Sequence, residues 1–257
     1  MLRLNDTDVR PGHRGEFRVL VAARRTGLGQ VRAYLVADIL RRLSERSRLA
    51  PTVIDLAPER EDDLRAVCAE LNIHPPPQTL TAPVIADQLA GLFTDGIREP
   101  VFDVGVRLEP AEPAVERLAA YWIDVAGAGD GTPRETERPL RERLAVAEEP
   151  LSVRMKLMRH GYGEAVGDGG DLDGEMATLT RWRQLVALWA RSPSGPMSRR
   201  YADAISASFA GDLDTAAALR ELDALAADPG EPVGVKFETF ASADMLFGLD
   251  LARDVGW

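Results

Sequence analysis

"FRVLVAARRTGLGQVRAYLVADILRRL", residues 17–43, decides the fold. Its first seven residues are an apolar run of strand length bounded by turn formers, the pattern of a strand buried on both faces of a parallel sheet. The glycine turn Gly27-Leu28-Gly29 follows and leads straight into a helical pattern. Val31, Tyr34, Leu35, Ile39 and Leu43 fall on one face, with Arg41, Arg42 and Glu45 expected outside. Strand, glycine turn and helix together can cradle a phosphate, because the first turn of a helix has N–H groups with no partner inside the helix. The same turn also reads as a tight connection in which glycine permits unusual dihedrals. Both readings stand at this point.

Working outward, residues 51–57 ("PTVIDLA") read as a second strand. Residues 59–73 ("EREDDLRAVCAELNI") read as a helix whose acidic start suits its N-terminal dipole, stopped by Pro75-Pro76-Pro77. Residues 83–96 read as a short helix with Gly96 at its exit, and 99–106 ("EPVFDVGV") as another strand. This alternation predicts an α/β sheet with parallel pairs. Residues 116–139 hold a helix and a strand and then turn-rich sequence without periodicity. After about Glu149 the chain reads as helices. Leu172, Met176, Leu179, Trp182, Val186 and Trp189 form a stripe, and two further helices break near Gly211, with Asp214 capping the second. The expected layout is a tail over 1–15, an α/β domain over 16–149 and a helical region over 150–257.

Composition narrows the function. A chain of 257 residues with 45% hydrophobic content can bury a proper core. No run approaches the ~18 apolar residues of a membrane span, and the first residues do not read as a signal peptide. The single cysteine, Cys68, suits a reducing, cytoplasmic setting and reads as a small buried hydrophobe. A net charge of −10 argues against a sequence-independent grip on nucleic-acid backbone. His13, His74 and His160 read as surface or loop residues, and no nucleophile–base–acid pattern stands out.

The motifs also carry a resemblance. "GLGQVRAYLVADILRRL" (27–43) resembles the HIGH-motif segment of the cysteinyl-tRNA synthetases and related mycothiol cysteine ligases, roughly HIGHARTYVVFDVLRRYL. Arg32, Tyr34, Val36, Asp38, Leu40, Arg41 and Arg42 match in register. Residues 61–96, "PVFDV" (100–104), "EMATLTRWRQLVALW" (175–189) and "SFAGDLDTAAALRELDALA" (208–226) are similar to later segments of that family, in its order. "DVAGAGD" (124–130) is similar to its nucleotide-side DIHGGG loop, with Ala126 in the histidine's place.

The resemblance implies a Rossmann-like class I synthetase sheet that binds ATP, followed by helices that brace the acceptor arm of tRNA. It places the nucleotide against Gly27, Gly29 and Gln30 on one side and Gly127, Gly129 and Asp130 on the other. It also shows what has changed. The HIGH tetrad aligns with Gly27-Leu28-Gly29-Gln30, so both histidines are gone, and Gln30 offers one neutral hydrogen bond. The expected position of the KMSKS loop, 130–137 ("DGTPRETE"), has no lysine. Ala22 or Ala23 stands where the family's first strand ends in a zinc-binding cysteine, and Cys68 lies mid-helix, so no zinc is expected. One reading is a motif-degenerate paralogue without ordinary aminoacylation, retaining nucleotide or aminoacyl-adenylate binding or serving a protein partner. The alternative is a ligase, using ATP or aminoacyl-tRNA, that joins an amino acid to a small acceptor.

Overall fold

A computed structural model describes residues 2–12, 15–23, 27–56, 62–80, 100–127, 148–167 and 171–256. Among them, a five-stranded parallel sheet has the order β5-β4-β3-β6-β7. It is built from β3 (Glu16–Ala22), β4 (Ala50–Asp55), the two-residue β5 (Gln78–Thr79), β6 (Val104–Arg107) and β7 (Trp122–Asp124). Helix α1 (Leu28–Arg46) connects β3 to β4, α2 (Asp62–Glu70) precedes β5, and the single turn α3 (Pro113–Glu116) precedes β7. The central strand, Val19 to Val21, is fully buried, because neighbours flank it on both edges and helices cover its faces. The short helix expected over 83–96 lies outside the described residues. Gly105 lets Trp122 lie against β6, since a Cβ there would fall 2.5 Å from the indole ring.

Helices follow: α4 (Pro150–Met158), α5 (Asp173–Trp189), α6 (Arg199–Ala210), α7 (Thr215–Ala227) and α8 (Val233–Phe247). Of the expected stripe on α5, Leu179, Trp182, Val186 and Trp189 are buried, while Leu172 and Met176 are half-buried. Trp182 and Trp189 both pack edge-on against Phe240 of α8, at centroid distances of 5.8 and 5.2 Å. Asp214 caps α7, accepting from the Ala217 N–H at 2.7 Å. The architecture is therefore α/β with a helical C-terminal region. No helix among the described residues is long and apolar enough to cross a membrane.

Two expectations are corrected. The first residues form a hairpin instead of a tail: β1 (Leu2–Leu4) pairs antiparallel with β2 (Thr7–Val9) across Asn5-Asp6, both at positive φ. That is the geometry of a two-residue primed turn. Leu4 is completely buried. The turn bonds to both halves of the molecule, with the Asn5 N–H donating to Asp212 and its Nδ2 to the Tyr121 hydroxyl.

The second correction concerns α1, which is enclosed on nearly every side from Leu28 to Leu40 because the helices cover the flank turned away from the sheet. Arg41 and Arg42 therefore turn inward. Both bond to Asp38, whose side chain is fully buried, at 2.9 and 2.8 Å. Arg154 of α4, equally buried, reaches the same carboxylate at 3.0 Å. Its other N–H groups bind the carbonyls of Leu71 and Asn72, just past α2, and of Phe247 at the end of α8. A cation placed where the carbonyl ends of two helices converge is stabilised by their dipoles.

Burial pushes the Asp38 carboxyl up, but the His74 contact and the Arg154 and Arg42 guanidiniums outweigh it and hold the group far below the ordinary carboxylate range. A depressed folded value means that the carboxylate's stabilisation is complete above its unfolded pKa of about 4 and fades as pH falls below it. Asp38→Asn leaves Arg154 buried without a counter-charge and should cost about 3–5 kcal/mol. Urea titration checks this, and the variant should also lose less stability than the native protein below about pH 4.

Candidate functional site

In an open parallel sheet, ligands bind beyond the carboxyl ends of the strands, where the chain leaves neighbouring strands in opposite directions. Here that point lies at the end of β3, with β4 on one side and β6 on the other. The chain passes from β3 to Gly27, whose φ of 103° and ψ of −161° are open to glycine and strained for any other residue. Its carbonyl accepts from the Gln30 and Val31 N–H groups and so starts α1. The N–H groups of Leu28 and Gly29 take no hydrogen bond among the described residues, and the first turn carries no acidic side chain. Two outward donors without a nearby carboxylate fit an anion.

Gln30 is buried, and its Nε2 donates to the Ala23 carbonyl at 3.4 Å. A carbonyl oxygen admits only a donor, which fixes the amide's orientation. The side chain thus turns an N–H towards β3, and its Oε1 is buried with no partner among the described residues. Phosphate at this turn would be held by main-chain donors, while one N–H of the Gln30 amide is engaged by Ala23.

At the end of β7, Gly127 is exposed, and a Cβ there would meet nothing within 4 Å. Gly129 and Asp130, with the stretch at 130–137, lie outside the described residues. The preceding Ala126 has its main chain fully engaged. Its N–H donates to Tyr162, and its carbonyl accepts from Arg32 of α1 at 3.0 Å. Arg32 is 1% exposed and also donates to the carbonyls of Gly161, at 2.5 Å, and Glu164. One guanidinium on the second turn of α1 therefore ties the glycine turn after β3 to the loop after β7 and to the 161–166 segment. Burial pushes Arg32 down to about 10, with the Glu164 carboxylate opposing, so it stays charged at neutral pH. His160 is a partly exposed residue at the edge of this segment, near the Glu164 carboxylate at 3.9 Å.

Arg107, which the motif reading passed over, occupies the carboxyl end of β6 between Ala22 and Asp124 in register. Its guanidinium bonds to Asp124 at 2.5 Å, pairs with Glu116 and stacks on Trp122. The Asp124 hydrogen bond raises its pKa, against some burial. Its place at the end of the "VGVR" strand was the available signal. Arg32 and Arg107 both stand near the crevice, and both are engaged by protein. Among the described residues, no three His, Cys, Asp or Glu side chains come together as metal ligands, and Cys68 is buried in the core.

No protein-family model matches the chain. Over 112 residues it is 34% identical to the "L-cysteine:1D-myo-inositol 2-amino-2-deoxy-alpha-D-glucopyranoside ligase" of Xylanimonas cellulosilytica. The match takes in 42% of this chain and 26% of that ligase, so the chain matches about a quarter of its relative's length. The likeness read from the sequence fragments stands, as a distant one, to the mycothiol cysteine ligases of the cysteinyl-tRNA synthetase family.

Arg32→Met should leave three carbonyls without their donor and cost about 3 kcal/mol. Hydrogen exchange should speed up at Glu164 and Val166 while α8 keeps its protection.

Proposed function

We propose that the crevice at the carboxyl ends of β3, β6 and β7 binds a nucleotide or an aminoacyl-adenylate, and that the chain does not perform ordinary aminoacylation. One observation carries the binding half: α1 begins at the switch point of the sheet, and the Leu28 and Gly29 N–H groups are unengaged among the described residues. Gly27 and Gly29 would let a phosphate approach this backbone, and Gly127, Gly129 and Asp130 would wall the nucleoside side. ATP would supply the adenylyl group, with pyrophosphate as the leaving group, and the chain's own contribution is to orient it.

The loss of ordinary chemistry rests on where the polar groups point. Displacement at a phosphorus is accelerated by cations and donors aimed at the charge that develops there. The position of the second HIGH histidine is Gln30, whose N–H faces Ala23. Arg32 is held by three carbonyls, and Arg107 by two carboxylates.

The second reading is a ligase joining an amino acid to a small acceptor, and the named activity of the relative favours it. A tRNA acceptor end is the less favoured acceptor for a chain of net charge −10. Serving a protein partner is the reading left if the crevice takes no ligand.

Calorimetry with ATP and a non-hydrolysable cysteinyl-adenylate analogue tests the binding. The native chain should bind one of them, and Gly29→Trp should weaken that at least about tenfold by filling the turn. No heat from well-folded protein overturns the binding half. Cysteine-dependent exchange of pyrophosphate into ATP should stay at background, and robust exchange would replace the first reading with the second.

A further inference from the structure

A second cavity lies at the opposite edge of the sheet. An open cleft of about 390 Å³ is formed where the N-terminal hairpin crosses the last turns of α1. Leu2 and Val9 come from the two arms of the hairpin, Phe17 from the start of β3, Leu40 and Leu43 from α1, and Leu49 from the turn beyond. Leu2, Leu43 and Leu49 are only partly buried, so the core's apolar surface continues into the cleft without being sealed. The volume falls within the ~300–1,000 Å³ of small-molecule pockets. Leu43 is 16 residues from Gly27, or about 24 Å along α1 at 1.5 Å per residue, so the cleft is separate from the crevice above.

Among the described residues that line it, the charged one is Arg10. Arg10 lines the cleft, is exposed and makes no ion pair among the described residues. Arg48, between the lining residues Ser47 and Leu49, is likewise exposed and unpaired among them. The Ser44 hydroxyl on the wall donates to the Leu40 carbonyl, so its proton asks for no acceptor from a ligand. No acidic side chain lines the cleft among the described residues. An apolar cavity with an arginine at its rim is complementary to a molecule with a hydrocarbon body and an anionic end.

We propose that this cleft binds an amphipathic carboxylate of the fatty-acyl class, its chain between the hairpin and α1 and its carboxylate at Arg10. The hairpin closes over the ligand from Leu2 and Val9, so binding also tightens the hairpin on the body of the protein.

Calorimetry with decanoate, decanol and acetate on the full chain, below micelle-forming concentrations, tests this. Decanoate should bind once per chain and acetate should not. Leu43→Trp, which fills the cleft, should abolish decanoate binding, with thermal melting confirming that the variant is folded. Arg10→Gln should weaken decanoate about fivefold and leave decanol unchanged, as expected of one exposed ion pair. Ser47→Glu, at the exposed rim, should weaken decanoate in the same selective way. No binding of decanoate to folded protein overturns the proposal, as does binding that Leu43→Trp leaves intact. Equal responses of decanoate and decanol to Arg10→Gln overturn the carboxylate's place. A dimer that Leu43→Trp dissociates would assign the cleft to a second copy of the chain instead.

Discussion

Everything in this molecule turns about the buried carboxylate of Asp38. It lies midway along α1, at the point where the sheet's first crossover helix meets the helical region, and three guanidiniums converge on it. A charge in that position is tolerable only if it is fully paired. The pairing dictates where α4 must lie, because Arg154 has no slack. It also fixes the exits of α2 and α8, whose carbonyls take the remaining guanidinium N–H groups. Gly248 completes the arrangement, since a Cβ there would press on Arg42 and Arg154 at 2.9 and 3.0 Å. The helical region is thus attached to the sheet through a specific charge geometry as well as through apolar packing.

The same economy of charge explains the character of the crevice. Cations near the carboxyl edge of the sheet serve as fasteners. Arg32 holds main-chain carbonyls from two loops, and Arg107 holds two carboxylates and an indole face. Among the described residues, the groups left unengaged at the start of α1 are main-chain N–H groups.

Much of this was legible from local pattern. The strand-turn-helix unit at 17–43 announces itself through two periodicities that switch at a glycine, and the tryptophan stripe of α5 through one. Long-range charge was not legible. Asp38 and Arg154 are 116 residues apart, and nothing in "ADILRRL" distinguishes arginines bent inward from arginines in water. The orientation of Gln30 was equally hidden, since it depends on one carbonyl at the end of β3. The hairpin was legible and missed: Asn5-Asp6 between short alternating runs is a turn signal, masked by the polarity of its surroundings.

That hairpin has a consequence for how the chain is made. The Asn5 N–H finds its acceptor 207 residues later, at Asp212. During synthesis at about 5–20 residues per second, the segment therefore waits some ten seconds or more for half of its docking surface to emerge. Over that interval Leu4, wholly enclosed in the finished protein, lacks its final enclosure. The docking of the hairpin is thus a contact of long sequence separation, which carries a high loop-closure cost.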